Sequence, residues 1–317
     1  MDEREQNEQN EQNKQNEPNE QKDKNYTVEW SFSFEKLGDQ IADFFKSAGD
    51  KDRVEVKSEH LSEPLGTATS ARVRVDFSVG ESTITPLNTS DNLIEASLTY
   101  VGEVELKATG DVEKVVHLGQ VAGASEWFRS AFGWIGSGQR LRWDLALTPK
   151  IPLNLDLHGG AGRSNFDLST LQVTALNIAS GAGELVLSLP KGEYNTRVSG
   201  GVGRTSISVP SGAFIDLNVS SGAGEVNLDI NEGAAVNARI NGGVGACNIR
   251  VPGDAGVRLE ARTGLGSINA GARLQRISGR GGDFWDQGGV WQTSNYDGVD
   301  RKILIRFDGG VGALNVR

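Results

Sequence analysis

The sequence repeats a Gly-x-Gly triplet, with Ala, Val or Leu at x, at a nearly constant spacing through its second half. The five steps from Gly162 to Gly266 are 21, 20, 21, 21 and 21 residues, and a seventh triplet ends at Gly312. A fixed spacing of about 20 to 50 residues is the signature of a repeat architecture in which neighbouring units stack. This spacing constrains the fold more than any local motif does. The second glycines of the triplets are Gly162, Gly183, Gly203, Gly224, Gly245, Gly266 and Gly312.

Apolar residues alternate with polar residues on both sides of each triplet. Alternation with a period of two is typical of a β-strand that has one buried and one solvated face. Each repeat is therefore predicted to be two short strands. Around Gly224, the apolar positions are Ile215, Leu217 and Val219 before the triplet, and Val226, Leu228 and Ile230 after it.

Around Gly224 the apolar residues have odd numbers before the triplet and even numbers after it. The two sets therefore face the same side only if the chain skips one residue between them. A bulge or sharp corner at the second glycine achieves this, because glycine tolerates the backbone angles required. Turn signals such as Pro190-Lys-Gly192 end the repeats. One such unit cannot bury its apolar face alone, but units stacked at about 4.8 Å would share a continuous core. We therefore predict an all-β fold, a single β-solenoid-like stack of repeats of about 21 residues.

Two outward-facing positions predict that the repeats stack in register. The residue after the triplet reads Arg163, Glu184, Arg204 and Glu225 in four successive repeats, which predicts an alternating charge ladder. The alternative is that these charged residues, and the asparagines described next, only form solvated strand faces. The position three residues after the second glycine is often asparagine, and stacked asparagines can hydrogen-bond along a parallel stack. These asparagines are Asn165, Asn227, Asn248, Asn269 and Asn315.

Composition limits the remaining function classes. The 317 residues have a formal net charge of −10 and show no basic stripe, which argues against nucleic-acid binding. The first 25 residues have no apolar stretch and the chain has no run of 18 apolar residues. We therefore expect no signal peptide, no integral membrane segment and a cytoplasmic location.

The N-terminal half is predicted to begin with residues that do not belong to the stack. Residues 1–26 form a Gln/Asn/Glu-rich tail that is expected to be disordered. Apolar residues spaced by three and four across 34–47 predict one short helix that caps the end of the stack. A helix lying on a membrane is the alternative, although its polar face is not basic. Degenerate strand patterns begin near residue 70, so residues 27–140 are expected to be continuous with the repeats of 141–317.

Two insertions concentrate the aromatic residues, which are sparse in the repeats. Residues 122–140 and 279–298 interrupt the pattern, and they are predicted either to cover the stack or to contact a partner or ligand. We assign the hypothetical partner-binding role to Trp127, Phe128, Trp134, Trp285 and Trp291.

Catalytic and metal-binding patterns are missing from the sequence. His60, His117 and His158 stand far apart without zinc-ligand spacing, and no Ser–His–acid set can be assembled. Cys247 falls on the apolar face of its strand and is predicted to be an inert core residue. The glycine triplets open strands rather than helices, so they do not form a nucleotide fingerprint. We predict no catalytic residue, no cofactor, no metal site and no enzyme.

Several segments resemble the N-terminal domain of the bacterial toast-rack family. They are residues 55–66, 68–80 and 91–102, the sequence Arg142-Trp143-Asp-Leu, residues 152–157 and the repeated Gly-Ala-Gly corners. The repeats are also similar to the C-terminal part of LiaF-like cell-envelope stress proteins and to adhesin-like domains of unknown function. The resemblance implies a β-solenoid-like stack, a role in envelope sensing or surface binding, and no catalytic motif.

Two function classes follow from these features. The first is a non-enzymatic interaction or scaffold module that binds a protein partner or itself, in an envelope-stress or surface-assembly context. The alternative is a carbohydrate-binding or carbohydrate-active protein that uses the aromatic insertions. An aromatic pair over a groove with nearby carboxylates would favour the second class, and a flat polar face would favour the first.

Overall fold

The predicted two-strand repeats are present in the computed structural model, which describes residues 56–121, 140–279 and 287–317. These residues belong to a compact unit that spans Arg53–Arg317. The predicted N-terminal tail and capping helix lie outside the described residues. Within them, the secondary structure is seventeen strands and one 3-10 turn at Tyr296–Gly298. The strands are β1 (Val56–Pro64), β2 (Ser70–Asp76), β3 (Gly80–Pro86), β4 (Asn92–Val101), β5 (Val104–Thr109), β6 (Glu113–Gln120), β7 (Arg142–Leu147), β8 (Pro152–His158), β9 (Ala161–Asp167), β10 (Gln172–Ser188), β11 (Glu193–Val209), β12 (Phe214–Ile230), β13 (Ala235–Arg250), β14 (Gly256–Asn269), β15 (Gln275–Ser278), β16 (Gln287–Gln292) and β17 (Lys302–Val316).

Each repeat is a coil made of two strand segments that meet at the Gly-x-Gly corner. We call the segment before the corner the first leg and the segment after it the second leg; β12, for example, contains both. The second glycine of the corner has a positive φ, 135° at Gly203 and 142° at Gly224. A Cβ atom at Gly224 would lie 1.8 Å from the carbonyl oxygen of Gly203. The corner therefore needs glycine for its backbone conformation and for its close approach to the neighbouring coil.

Successive coils pair in parallel and in register, and the core lies between the two legs. Gly203 is level with Gly183 on one side and with Gly224 on the other. Leu217 on the first leg of β12 and Leu228 on its second leg are both buried. The alternation of buried and exposed residues continues along both legs, as the sequence pattern predicts.

The spatial order of the coils differs from their order in the sequence. β17 pairs in parallel with β13 on one side and with β14 on the other, so the last strand lies inside the stack. The first leg of β14 then pairs with β16, which runs antiparallel and pairs in turn with β15. The spacing of 46 residues between Gly266 and Gly312 therefore reflects an excursion through β15 and β16, after which the chain returns between two earlier coils.

The N-terminal strands continue the stack and then close it. β2 and β3 form a coil with its corner at Gly80 (φ 124°), next to β8 and β9, so the pattern begins near residue 70 as predicted. β6 and β7 pair in parallel with β2 and β3 and add the legs of one more coil. β4 and β5 run antiparallel to their neighbours. The Val101-Gly102 turn therefore joins two strands that pair with different neighbours, β4 with β7 and β5 with β6, and not with each other.

Candidate interaction surfaces

Four of the five predicted contact residues, Trp127, Phe128, Trp134 and Trp285, lie outside the described residues. The described residues nevertheless locate where each insertion leaves the stack. Leu141 lies beside the corner at Gly80, since its carbonyl oxygen accepts a 3.0 Å hydrogen bond from the backbone N–H of Glu81. At the other end, Gln287 pairs with Thr263, one residue before the Gly264–Gly266 corner. The segments 122–139 and 280–286 are therefore both flanked by described residues on the corner side, which the linear sequence does not reveal. The rest of the second insertion runs along β16 to Tyr296, which lies beside Gly256 at the opposite end of the first leg of β14.

Trp291 is the one predicted contact residue that the structure describes. It lies on β16 opposite the buried Leu259, is half-buried, and packs against the hydrophobic core. The guanidinium of Arg276 stands 5.3 Å from the centre of its ring, a cation–π contact. Its role in partner binding stays a prediction, and these contacts show that its removal would also affect the end of the stack.

The predicted Arg–Glu ladder is confirmed. Arg163, Glu184, Arg204 and Glu225 are level with one another in successive coils. The Nε of Arg163 donates to Glu184 at 3.0 Å, and the Nε of Arg204 donates to Glu225 at 3.0 Å. Arg204 also lies 3.9 Å from Glu184. The hydrogen bond from Arg204 holds the pKa of Glu225 below its usual value.

The alternation extends further than the sequence pattern showed. Glu81 on β3 is level with Arg163, and Arg142 on β7 is level with Glu81 at a separation of 3.5 Å. Sequence analysis missed both residues because the spacing of glycine corners breaks down before Gly162. The pairing of β3 with β9 supplies the register that the sequence could not.

The asparagine ladder forms where three asparagines are neighbours in space. Asn248 donates to Asn227 at 3.0 Å, and Asn315 donates to Asn248 at 3.0 Å. Asn269 is level with Asn315 in the next coil. Asn165 is level with Val186, which interrupts the row as expected. The run is continuous only because β17 lies between β13 and β14.

A hollow of about 300 Å³, lined by both polar and apolar side chains, lies on the outer face of the second legs. Ser206 and Ser208 line its floor, and neither hydroxyl has a hydrogen-bonding side-chain partner among the described residues. Asp229 and Arg250 lie at its edge, 3.5 Å apart. Aromatic side chains do not line this hollow in the described part of the chain. It therefore offers hydrogen-bonding groups beside apolar surface such as that of Val186.

A second polar cluster lies on the first legs of the N-terminal coils. The Nε2 of His117 is 2.6 Å from Asp76, and Arg74 donates to Asp76 at 3.0 Å. His158 is 2.9 Å from Asp156, which lies 3.5 Å from Arg74. Sequence spacing separated the two histidines, but the fold places their strands on either side of β2. Among the described residues, no group of His, Cys, Asp or Glu side chains is arranged to hold a metal ion.

The charge on this cluster is fixed by its hydrogen bonds. Burial alone would raise the pKa of Asp76, but the hydrogen bonds from Arg74 and His117 outweigh it and lower that pKa. The carboxylate of Asp76 is therefore ionised and satisfied at neutral pH. This arrangement is an ion-pair network, and no nucleophile is among its hydrogen-bonding members.

The single cysteine is a core residue, as predicted. Cys247 is 4% exposed, and burial raises the pKa of its thiol to about 12. Thiolates are the reactive form of cysteine, so this side chain is inert in the folded protein.

Comparisons with known proteins identify the family. The family model described as the N-terminal domain of toast_rack, DUF2154, matches residues 46–208. Among curated proteins, no sequence matches the chain. In the described part of the structure, no helix has the length and apolar character needed to cross a bilayer.

Three solved structures are similar to this chain at low sequence identity. A putative cell adhesion protein from Clostridium sporogenes is 21% identical with a TM-score of 0.41, covering 83% of this chain and 99% of that one. A putative adhesin from Bacteroides fragilis is 11% identical with a TM-score of 0.35, covering 83% and 97%. A putative adhesin from Parabacteroides distasonis is 11% identical with a TM-score of 0.23, covering 84% and 98%. The family model spans more than half of the chain, and this protein therefore belongs to the toast-rack family.

Proposed function

We propose that this protein is a non-enzymatic interaction module whose stacked coils present fixed surfaces to a protein partner. The observation that supports this most directly is the in-register Arg–Glu ladder, which aligns charged side chains at the regular spacing of the strands. Exposed ion pairs of this type add only about 0–1 kcal/mol each to stability. Their regular arrangement is better suited to recognition than to holding the fold together.

The aromatic insertions are the proposed points of specific contact. The described residues that flank 122–139 and 280–286 lie on the corner side, the side that presents the ladder. Large aromatic residues commonly supply the binding hot spots of protein interfaces. The family resemblance supports an envelope-stress or surface-assembly context, and the cytoplasmic location stays a prediction.

The proposal is tested by replacing Trp127 and Trp134 with alanine and measuring partner capture. Cross-linking in the native cell, followed by affinity purification, should recover one reproducible partner with the wild-type chain and much less with the double variant. Phe214→Ala is the matched control, because Phe214 is an exposed aromatic residue at the opposite end of a first leg. Equal capture by all three proteins would contradict the assigned role of the insertions. A large fall in melting temperature for the double variant would instead identify the rings as structural cover.

Carbohydrate binding is the second candidate, and the hollow on the second legs, with its serine hydroxyls, is the observation that favours it. Free serine hydroxyls beside Asp229 and Arg250 match the dense hydrogen-bonding groups of a saccharide. Isothermal titration with bacterial cell-wall oligosaccharides tests this function. Heat that disappears in Ser208→Ala and Asp229→Ala variants would support it, and no heat with the wild-type protein would reject it.

A further inference from the structure

We propose that two copies of this chain associate in antiparallel orientation through their corner faces. The corner face consists of two adjacent rows, the x residues of the Gly-x-Gly corners and the Arg–Glu ladder beside them. This inference deepens the proposed function, because it names a second copy of the chain as one partner of the stacked coils.

The first row is apolar, and its members are exposed except for Ala161 and Ala223, which are half-buried. Its members are level with one another in successive coils, including the coil of β17. Exposed apolar side chains that form a contiguous patch mark interaction surfaces, whereas scattered ones do not. The larger members of the row are Val202 (41% exposed), Val244 (58%), Val311 (47%) and Leu265 (39%), and the smaller ones are Ala161, Ala182 and Ala223.

The second row selects the orientation of the second copy. A two-fold axis across the stacking direction places each row against the same row of the other copy and reverses the order of the coils. Read in reverse, the sequence Arg, Glu, Arg, Glu becomes Glu, Arg, Glu, Arg. Arg163 then faces Glu225 of the second copy, and Glu184 faces Arg204. Each of these four charges meets an opposite charge, as an isologous interface requires. The two further ladder residues, Glu81 and Arg142, lie opposite Ala246 and Ala313 of the second copy.

The parallel arrangement lacks this complementarity. A two-fold axis along the stacking direction places each coil opposite its own copy, so Arg163 would face Arg163. Like charges set against each other across an interface cost several kcal/mol, by order of magnitude. The ladder therefore favours the antiparallel pair and disfavours the parallel one.

The ladder retains hydrogen-bonding capacity for a second copy. The contacts at 3.0 Å within the chain use the Nε atoms of Arg163 and Arg204. The side chains of these two residues remain 67% and 56% exposed. A guanidinium has five N–H donors, so each arginine can bind a carboxylate of the second copy while keeping its own neighbour.

The same register also matches the apolar row. It places Val202 against Ala182 of the second copy, and Ala161 against Ala223. The register overlaps the eight coils from that of β7 to that of β17, which at about 4.8 Å give a contact roughly 34 Å long, and Leu265 lies beyond its end. Beyond the ladder, Val244 and Val311 are accompanied by Ala246 and Ala313 instead of charges, so no like charges oppose each other there.

The test is the association state of the full chain by sedimentation velocity, from low to high micromolar concentration at low salt. The wild-type protein should dimerise with increasing concentration, and added salt should weaken the dimer. Glu184→Arg sets two arginines against each other at two symmetric places, and should raise the dissociation constant at least about tenfold. A wild-type protein that stays monomeric across the range would overturn the proposal.

A double variant separates association from stability. Glu184→Arg combined with Arg204→Glu restores opposite charges across the interface, so the dimer should return. Within one chain the ladder of the double variant reads Arg, Arg, Glu, Glu, which contains two pairs of like-charged neighbours. The single variant reads Arg, Arg, Arg, Glu and also contains two such pairs. The two variants should therefore have similar melting temperatures but different association. A double variant that stays monomeric would overturn the antiparallel register.

Val202→Asp tests the apolar row separately, because an exposed valine contributes little to the fold. The variant should keep the wild-type melting temperature and lose the dimer. Dimerisation at wild-type strength would rule the corner face out as the contact surface. If self-association fails, partner capture by Trp127 and Trp134 is still tested by its own experiment. A failure of one proposal is therefore distinguishable from a failure of the other.

Discussion

Single residues in this fold differ in importance according to which side of a leg they occupy. Leu228 is 2% exposed and level with Ile207 and Ile249 in the adjacent coils. The adjacent residue, Asn227, faces outward and accepts a hydrogen bond from Asn248. Two consecutive residues therefore have opposite environments, which follows from strand geometry.

Leu228→Asp should unfold the protein or destabilise it by more than about 4 kcal/mol, because the new carboxylate would be buried without a partner. Asn227→Asp is the matched control, since it places the same side chain one residue away on the wet face. It keeps an acceptor for Asn248 and should cost less than about 1 kcal/mol. Chemical denaturation of the two variants measures the difference. Similar unfolding midpoints would refute the two-faced strand.

Asp76 should make the protein sensitive to acid. The pKa of its carboxyl is lowered in the folded state, so its interactions stabilise the protein above the unfolded pKa of about 3.9. That contribution is lost as the pH falls through the folded pKa. Asp76→Asn should therefore lower the melting temperature at pH 7, and the difference from wild type should shrink below pH of about 4.

The control for this titration is Asp300→Asn, because Asp300 makes no hydrogen bond or ion pair within the described residues. Its melting temperature should follow that of wild type at every pH. A constant difference between Asp76→Asn and wild type from pH 7 to pH 3 would show that the charge of Asp76 is irrelevant to stability.

At the scale of the element, the corner limits what a coil can tolerate. Gly224 combines a φ of 142° with a neighbouring carbonyl oxygen 1.8 Å from the site of a Cβ atom. Gly224→Ala should therefore cost at least about 3 kcal/mol, since backbone strain and overpacking add. Gly253 lies in a turn at the other end of a coil, and a Cβ there would meet nothing within 4 Å. Gly253→Ala should change stability by less than about 0.5 kcal/mol.

Thermal unfolding of these two glycine variants measures the requirement directly. A Gly224→Ala protein as stable as Gly253→Ala would mean that the corner relaxes without cost. That result would remove the physical reason for the repeated triplet.

The legs, the corners and the ladder could all be predicted from the sequence because each depends on local spacing. Alternation identifies the buried face, and the parity shift at the glycine identifies the corner. The reversed direction of β4 and β5 could not be predicted, since Val101-Gly102 flanked by alternating residues has the same local appearance as the corners of the parallel coils. Strand direction depends on which strands pair, and no local pattern contains that information.

The order of coils also lay beyond the sequence pattern, because every coil offers the same corner and the same apolar rows to a neighbour. Side chains on β17 explain its position between β13 and β14. Arg306 donates to Asn237 at 3.0 Å on one side and to Glu260 at 3.2 Å on the other. Asp308 lies 3.6 Å from Arg262 of β14. These contacts join residues that are 69 and 46 positions apart in the sequence.

At the scale of the whole stack, the position of β17 between β13 and β14 predicts a pattern of amide hydrogen exchange that differs from that of a solenoid whose coils stack in sequence order. β17 has a hydrogen-bonded neighbour on each side along nearly its whole length, whereas β15 pairs only with β16 among the described residues. Hydrogen exchange reports the free energy of opening each segment, and segments with paired backbones inside a core open last. Amides of Lys302–Val316 should exchange as slowly as those of Ala235–Arg250, and at least about tenfold more slowly than those of Gln275–Ser278.

Hydrogen-exchange mass spectrometry of the intact chain distinguishes the two orders. If coils stacked in sequence order, β14 would lie against β13 and would be the protected neighbour, while β17 would form an edge and exchange early. Among the described strands, β13 and β14 do not pair with each other and share β17 as their neighbour, so loosening β17 should expose both. Ile305→Ala removes a buried side chain from β17, and should speed exchange in β13 and β14 more than in β10. Acceleration confined to β17 would show that the inserted strand does not couple the coils on either side of it.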